Sequence, residues 1–309
     1  MKKRDLKIVF MGTPEFAVPS LESIIKANYN VVGIVTAPDK PAGRGLKLQF
    51  SPIKNTALKH QIPVLQPEKL KDEQFLNTLK DLGTNLIVVV AFRMLPELIW
   101  SFPKYGTFNL HASLLPQYRG AAPINWAIIN GEKETGLTTF FLKKKIDTGD
   151  LILQEKEEIS ENDSAGSLYE RLMIKGAALV LKTVQQIETN TFKLTPQTES
   201  DKLTPAPKIF RENCQIDFSK TAREVYNFVR GLSPYPAAWT DKLGKTCKVF
   251  EVAIPKNISE ETQEAIITDQ KSFLYFKTAS GYISILSLQP AGKKKMPIAD
   301  FLRGYKITT

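Results

Sequence analysis

Runs of apolar residues of strand length alternate with amphipathic segments through the first half of the chain. The helical segments, with apolar residues three and four positions apart, cover 68–82 and 164–188. The strand-length runs are 6–11, 31–36, 86–91, 107–111, 136–142 and 151–159. Such alternation predicts an α/β fold with a parallel, doubly wound, Rossmann-like sheet, whose ligands bind beyond the carboxyl ends of its strands.

Two helix starts carry a cap residue followed by proline. Thr13 precedes Pro14, and Ser51 precedes Pro52, which predicts helices that begin at the prolines, the second ending near His60.

After a polar stretch, the pattern of predicted helices and strands in the second half of the chain differs from that in the first half. A helix is predicted over 221–230, followed by short alternating strands at 245–252, 264–267, 273–277 and 282–288, a pattern typical of a small β-barrel. The predicted organisation is therefore a catalytic domain over 1–189, a linker over 190–207 and a smaller domain over 208–309.

The net charge of the chain is +10. Residues 206–309 hold 16 Lys and Arg against 10 Asp and Glu, so the excess is concentrated at the C-terminal end. This distribution permits a polyanionic partner, although a solvated basic surface would have the same composition.

Composition also narrows the class of protein. The longest apolar run, 86–92, is too short to span a bilayer, and the apolar start of the chain is interrupted at 12–15, which favours a first strand over a signal peptide. Cys214 and Cys247 have neither metal-ligand spacing nor a disulfide pattern, so a reducing cytosol is expected.

Three polar residues at the end of one strand and in a later turn suggest chemistry. Asn109 and His111 are two positions apart, so an extended backbone projects both from one face, and Asp147 lies in a KIDTGD turn 38 residues after Asn109. Amide, imidazole and carboxylate can stabilise an oxyanion and relay protons in acyl transfer. Taken one at a time, each residue also has a purely structural explanation. Asn109 would cap the end of the strand, His111 would be a buried histidine whose hydrogen bonds are all made within the protein, and Asp147 would fix its turn. Together they favour catalysis.

Five ordered sequence blocks resemble the folate-dependent formyltransferases over nearly the whole chain. They are FMGTPEFAVPSL, TAPDKPAGRGLKL with SPIK, the Asn-x-His block with HASLLPQYRGAAPI, DTGD and SLQPAGKKKM. The resemblance implies an OB-like C-terminal barrel and 10-formyltetrahydrofolate as the formyl donor. A cytoplasmic monomer is expected. No metal is expected, because a deprotonated amine is already a competent nucleophile.

The resemblance also implies roles for particular residues. Asn109, His111 and Asp147 would be catalytic, and Ser113, Leu114, Leu115 and Pro116 would shape the folate pocket. The acceptor implied is the amino group of a methionyl initiator tRNA. The glycine-rich loop with Lys40, Arg44 and Lys47 would contact its acceptor end, and composition alone would equally allow a solvated loop.

Several other functions share the catalytic residues. A formyltransferase acting on a small amine, such as an amino-sugar nucleotide or glycinamide ribotide, would use them, and so would a formyltetrahydrofolate hydrolase. A different class is an RNA-binding module that has lost catalysis. The three residues, the basic loop and the basic C-terminal third together favour the tRNA enzyme.

One segment departs from the family pattern. The chain reads Ala-Phe-Arg-Met-Leu-Pro over 91–96, whereas many members of the family have a pattern one residue longer, similar to Ala-Tyr-Gly-x-x-Leu-Pro. The resemblance implies that this segment borders the folate pterin, so its shape and the role of Arg93 are open.

Overall fold

The computed structural model describes residues 5–42, 47–198, 202–256, 258 and 262–307. Within it the chain forms two compact units. Unit 1 comprises Met1–Gly120, Gly136–Glu157 and Tyr169–Pro205. Unit 2 comprises Ala121–Thr135, Glu158–Leu168 and Ala206–Thr309.

A seven-stranded sheet forms the framework of the N-terminal part, in the order β5-β2-β1-β6-β7-β8-β9. Its neighbours from β5 to β7 pair in parallel, as predicted. The strands of this part, with the separate β3–β4 hairpin, are β1 (Lys7–Gly12), β2 (Asn30–Val35), β3 (Lys40–Ala42), β4 (Lys47–Gln49), β5 (Val64–Leu65), β6 (Leu86–Val90), β7 (Thr107–His111), β8 (Glu134–Phe141) and β9 (Leu151–Glu158).

The sheet is mixed, not wholly parallel. β8 runs antiparallel to β7, with His111 opposite Thr138 and Phe108 opposite Phe141. A parallel neighbour needs a crossover helix packed on the sheet. The helix between β7 and β8 belongs to unit 2 and does not provide such a crossover. The chain therefore enters β8 from the end of the sheet at which β7 finishes, and β8 runs in the opposite direction.

The α-helices of the described residues up to 189 are α1 (Val18–Lys26), α2 (Pro52–Lys59), α3 (Glu73–Asp81), α4 (Glu97–Trp100), α5 (Pro123–Ile129) and α6 (Ala165–Thr189). Of these, α5 belongs to unit 2. The predicted start of α2 is confirmed, because the Ser51 hydroxyl accepts from the Lys54 amide at 3.1 Å.

Two predicted helix starts are wrong. Pro14, not Thr13, caps a 3-10 turn at Glu15–Ala17, without a side-chain hydrogen bond. Pro14 itself has the extended backbone of a cap residue, with φ of −76° and ψ of 172°, so the turn begins one residue later than predicted. The helix predicted from 68 begins at 73, because the Asp72 carboxylate accepts from the Gln74 amide at 3.1 Å and caps it there.

Unit 2 contains an antiparallel sheet in the order β10-β11-β14-β13-β12, with β15 also paired to β14. Thr221 and Glu224 form a reciprocal capping box at the start of α7, which satisfies backbone donors at this helix end. The remaining elements are α7 (Ala222–Leu232), β10 (Ala238–Thr240), β11 (Cys247–Ala253), β12 (Ile266–Thr268), β13 (Leu274–Lys277), β14 (Tyr282–Pro290), β15 (Met296–Pro297) and α8 (Ile298–Gly304).

Unit 2 also includes a helix that lies early in the sequence. Ile129, at the end of α5, packs against the apolar core of the antiparallel domain. The Asn125 side chain donates to the carbonyl of Gly231 at 2.8 Å, and the amide of Ala122 donates to Ala206 at 3.2 Å. The unit is therefore assembled from three separate stretches of sequence.

Candidate active site

Asn109 and His111 project from the end of β7, in the middle of the N-terminal sheet. Asn109 pairs with Val89 on one side and Phe140 on the other, so its backbone is fixed by both neighbouring strands. Its side chain is half-buried and, within the described ranges, makes no hydrogen bond to the protein. An amide held in the sheet with unused donors is suited to bind a ligand oxygen.

His111 is buried, with only 7% of its side chain exposed. Its Nε2 lies 2.8 Å from the carbonyl oxygen of Tyr118. Since a carbonyl only accepts, Nε2 must carry the proton of this hydrogen bond. Tyr118 has a left-handed backbone, with φ of 59°, in the loop that places this carbonyl against the ring. The imidazole is thereby oriented with Nδ1 as its remaining nitrogen.

Asp147 faces that remaining nitrogen from the loop between β8 and β9. Its Oδ2 lies 3.9 Å from Nδ1 of His111, which is too long for a direct hydrogen bond. The same oxygen accepts from the backbone amide of Gly120 at 3.0 Å. The structure therefore brings His111 and Asp147 together, as predicted from the sequence, with a backbone donor fixing the carboxylate.

The predicted folate residues form a tightly bonded turn after His111. The Ser113 hydroxyl donates to Gln117 at 2.6 Å, and the Ser113 carbonyl accepts from the Thr138 hydroxyl at 2.6 Å. Leu115 is buried, and its carbonyl accepts from the Gln154 amide at 2.8 Å. Ser113 and Leu115 thus hold the shape of the turn, while Leu114 and Pro116 are half-buried.

Arg93 holds the segment that departs from the family pattern. Its guanidinium donates to the carbonyl of Glu68 at 2.9 Å and to that of Pro67. Ala91 beside it has a left-handed backbone, with φ of 48°. The cation is therefore engaged in tying two loops together, and the neighbouring Met94 is 74% exposed.

The β3–β4 hairpin carries the predicted tRNA residues. Lys40 lies opposite Gln49 and is exposed. Arg44 lies outside the described residues. Lys47 begins β4, and only its backbone is described.

The base of this hairpin is held by an ion pair. Lys54 Nζ donates to a carboxylate oxygen of Asp39 and to the side-chain oxygen Oε1 of Gln66, the latter at 2.8 Å. Gln66 in turn donates to Asp39 at 2.9 Å. Hydrogen bonds from Lys54 and then Gln66 lower the pKa of Asp39 below its ordinary value. The stem of the hairpin is thus fixed at its base.

Two residues beside the site were missed by sequence reasoning. Gln197 and Arg119 are hydrogen-bonded to each other, and Gln197 also bonds to the loop of Asp147. Gln197 lies in a polar stretch with no periodicity, and Arg119 in an irregular loop, so no sequence signal distinguishes either residue.

The described part of the chain contains no cluster of three or more His, Cys, Asp or Glu side chains able to hold a metal ion. None of its helices combines the length and apolar character needed to cross a bilayer.

Family models match both parts of the chain. The model described as formyl transferase matches residues 6–184, and that described as formyl transferase, C-terminal domain, matches 208–306. The chain belongs to the formyl transferase family. The mixed Rossmann-like sheet and the antiparallel C-terminal domain agree with this assignment, and the protein is accordingly an enzyme of formyl transfer.

Relatives that share about half of their residues with this chain are named methionyl-tRNA formyltransferase. A methionyl-tRNA formyltransferase of Bacteroides fragilis is 51% identical, covering 100% of this chain and 98% of that protein. Another, of Azobacteroides pseudotrichonymphae, is 55% identical over 96% of this chain and 95% of its own length. Among solved structures, the sugar 3N-formyl transferase WlaRD, determined in the presence of dTDP and 5-N-formyl-THF, is similar with a TM-score of 0.68. It is 21% identical and covers 94% of this chain and 100% of its own, so the likeness concerns the fold.

Proposed function

We propose that this enzyme transfers the formyl group of 10-formyltetrahydrofolate to the α-amino group of methionyl initiator tRNA. The products are formyl-methionyl-tRNA and tetrahydrofolate. The observation that carries the proposal is the identity of about half of all residues, over the full chain, with relatives named methionyl-tRNA formyltransferase. The similarity to a sugar formyltransferase is much weaker, at 21% identity.

Asn109 and His111 stabilise the negative charge that develops on the formyl oxygen. When the neutral amine attacks the formyl carbon, this oxygen becomes an oxyanion that needs donors fixed in advance. The Asn109 amide supplies one, supported by its lack of a protein partner in the described structure. His111 supplies the other through Nδ1 when this atom carries a proton, because its Nε2 proton is bound by Tyr118.

Asp147 moves the proton that the reaction must relocate. The attacking nitrogen loses a proton, and the departing folate nitrogen gains one, so a group near both must accept and return it. The carboxylate lies 3.9 Å from the imidazole, an arrangement that suits transfer through a water molecule.

Binding of the two substrates is assigned to neighbouring loops. The turn Ser113, Leu114, Leu115 and Pro116 shapes the folate pocket, with Ser113 and Leu115 acting through the form of the turn. Lys40, Arg44 and Lys47 contact the acceptor end of the tRNA. The domain boundaries in this proposal are 1–189 for catalysis, 190–207 for the linker and 208–309 for tRNA binding, in a cytoplasmic monomer without a metal.

A transfer assay tests this function. With 10-formyltetrahydrofolate as donor, we expect rapid formylation of methionyl initiator tRNA, slower formylation of methionyl elongator tRNA and little formylation of free methionine. Efficient transfer to an amino-sugar nucleotide, with no transfer to charged tRNA, would contradict the proposal. Release of formate without any acceptor at a comparable rate would instead identify a hydrolase.

A further inference from the structure

The polar segment after α6 is tied to the loop that carries Asp147. Thr195 and Leu151 exchange two backbone hydrogen bonds, of 2.8 and 3.0 Å, at the start of β9. This bridge places the following residue pair, Pro196 and Gln197, beside the turn that ends at Asp150. Part of the segment predicted as a linker therefore lies in unit 1 and contacts the loop that carries Asp147.

The Gln197 side chain bonds to this loop in two places. Its Nε2 donates to the carbonyl of Asp147 at 2.9 Å and to that of Gly149 at 2.8 Å. Its Oε1 accepts from Nε of Arg119 at 3.1 Å and from Nη2 at 2.7 Å. Both donors and both lone pairs of the amide are thus used. Because arginine only donates and carbonyls only accept, the orientation of the amide is determined.

Arg119, the residue bound by the Gln197 side-chain oxygen, lies between the two backbone groups that bind His111 and Asp147. Arg119 follows Tyr118, whose carbonyl binds Nε2 of His111, and precedes Gly120, whose amide binds Oδ2 of Asp147. The chain Arg119–Gln197–Asp147 therefore connects the loop that orients the imidazole with the loop that presents the carboxylate.

Asp147 has a backbone that needs such support. Its φ of 54° lies in the left-handed region, which residues with a side chain adopt only at an energetic cost. The bond from Gln197 to its carbonyl stabilises this conformation. A relaxed turn would move the carboxylate away from His111, and displacements of about 1 Å can lower rates by about a hundredfold.

We propose that Gln197 is a positioning residue that acts through Asp147, holding its carboxylate at the distance from His111 required for formyl transfer. The inference rests on the proposed role of Asp147 in proton transfer. Gln197 does not touch the reacting atoms, and its effect is on the rate of the chemical step, not on the binding of either substrate.

A near-isosteric substitution, Gln197→Met, removes all four hydrogen bonds and keeps the length of the side chain. We expect kcat for formyl transfer to fall about tenfold or more, with KM for folate and tRNA within about twofold of the wild type. Gln270→Met is the matched control. Gln270 also binds a remote backbone segment in both directions, at 2.7 and 3.0 Å to Ile307, but lies in unit 2. Its kcat should stay normal even where its melting temperature falls.

A double-mutant cycle with Asp147→Asn separates positioning from general weakening. If Gln197 acts through Asp147, adding Gln197→Met to Asp147→Asn lowers kcat by less than about twofold further. Effects that multiply in the double variant, or a kcat for Gln197→Met within about twofold of the wild type, would overturn the proposal. Should Gln197→Met fail to fold, the same cycle on Gln197→Glu decides, since this variant keeps the acceptor for Arg119 and loses the donors to the loop.

The cycle also distinguishes failure of the inference from failure of the catalytic assignment. A nearly normal Asp147→Asn enzyme would remove the proton-transfer role itself. A strongly impaired Asp147→Asn enzyme beside a normal Gln197→Met enzyme would leave that role intact and remove only the positioning by Gln197.

Discussion

The loops beside His111 and the β3–β4 hairpin hold their polar groups in opposite ways. In the catalytic loops, a backbone carbonyl fixes the imidazole and a backbone amide fixes the carboxylate. In the hairpin, the ion pair at Lys54 fixes the base, while Lys40 is exposed and Leu48 and Phe50 are 65% and 45% exposed.

This difference corresponds to two physical demands. Groups that act on reacting atoms gain from being fixed beforehand, because no reorganisation is then needed at the transition state. Groups that meet a large charged partner gain from exposure, since their contribution is long-range attraction and backbone contact. Substitutions in the two regions should therefore affect different kinetic constants.

The largest effects are expected at the catalytic residues. Asn109→Ala, His111→Ala and Asp147→Ala should each lower kcat by at least about a hundredfold, the effect of losing an oxyanion donor or a proton-transfer group. Steady-state kinetics on charged initiator tRNA measure this loss, and tetrahydrofolate binding, followed by fluorescence, should change much less. A rate near that of the wild type in folded Asp147→Ala protein would exclude proton transfer by this residue.

A steric substitution tests how rigid the catalytic loop is. A Cβ built on Gly149 would lie 1.5 Å from the carbonyl oxygen of Phe141, so Gly149→Ala must displace backbone. We expect a loss of about 2 kcal/mol in the free energy of unfolding, measured by denaturant titration, together with lower kcat. Gly304→Ala is the control, because nothing lies within 4 Å of a Cβ there. An unchanged Gly149→Ala protein would show that the loop yields easily.

At the hairpin, the expected effect is smaller and concerns binding. Lys54→Met should raise KM for charged tRNA on the order of fivefold, because the stem loses the ion pair at its base. Slow hydrolysis of the formyl donor without tRNA should stay unchanged. Equal losses in both assays would show that Lys54 supports the fold or the folate site instead.

The same ion pair gives a dependence on pH. The pKa of Asp39 is lowered in the folded protein, so its contribution to stability is present above the ordinary Asp pKa and is lost as pH falls through the lowered value. Wild-type protein should therefore lose more stability than Lys54→Met between neutral and strongly acid pH. Parallel stability curves for the two proteins would contradict this role.

The smallest effect is expected from surface lysines in unit 2. Lys293 and Lys294 are exposed, whereas Lys295 pairs with Glu251 at 2.6 Å. Replacing Lys293 and Lys294 by Ala should reduce the slope of log affinity for tRNA against log salt by about two, with little change in kcat. Lys295→Ala should change the slope less, and an unaltered slope in the double variant would mean that tRNA does not reach this surface.

The sequence predicts most of the sheet and part of the site because their signals are local. Asn109 and His111 share a face through the period of two in a strand, and the cap at Ser51 depends on adjacent residues alone. The contacts that position the site are not local. Gln197 lies 50 residues from Asp147, and neither residue type nor spacing indicates that they meet.

The late start of α3 has a local cause, the cap at Asp72, which competes with favourable helical residues before it. The antiparallel direction of β8 has a nonlocal cause, because it depends on where α5 packs. The engagement of Arg93 with the carbonyls of Pro67 and Glu68 likewise depends on a contact between distant loops.

Unit 2 is assembled from three separate segments of sequence, which limits how the enzyme can fold during synthesis and how its C-terminal domain can be exchanged. During synthesis, α5 leaves the ribosome long before Gly231, its partner in the C-terminal domain, so the apolar face around Ile129 must wait for the rest of the chain. A chimaera that exchanges only residues 206–309 with a relative would join a foreign core to the original helix. Successful exchange requires the segments 121–135 and 158–168 to be transferred as well.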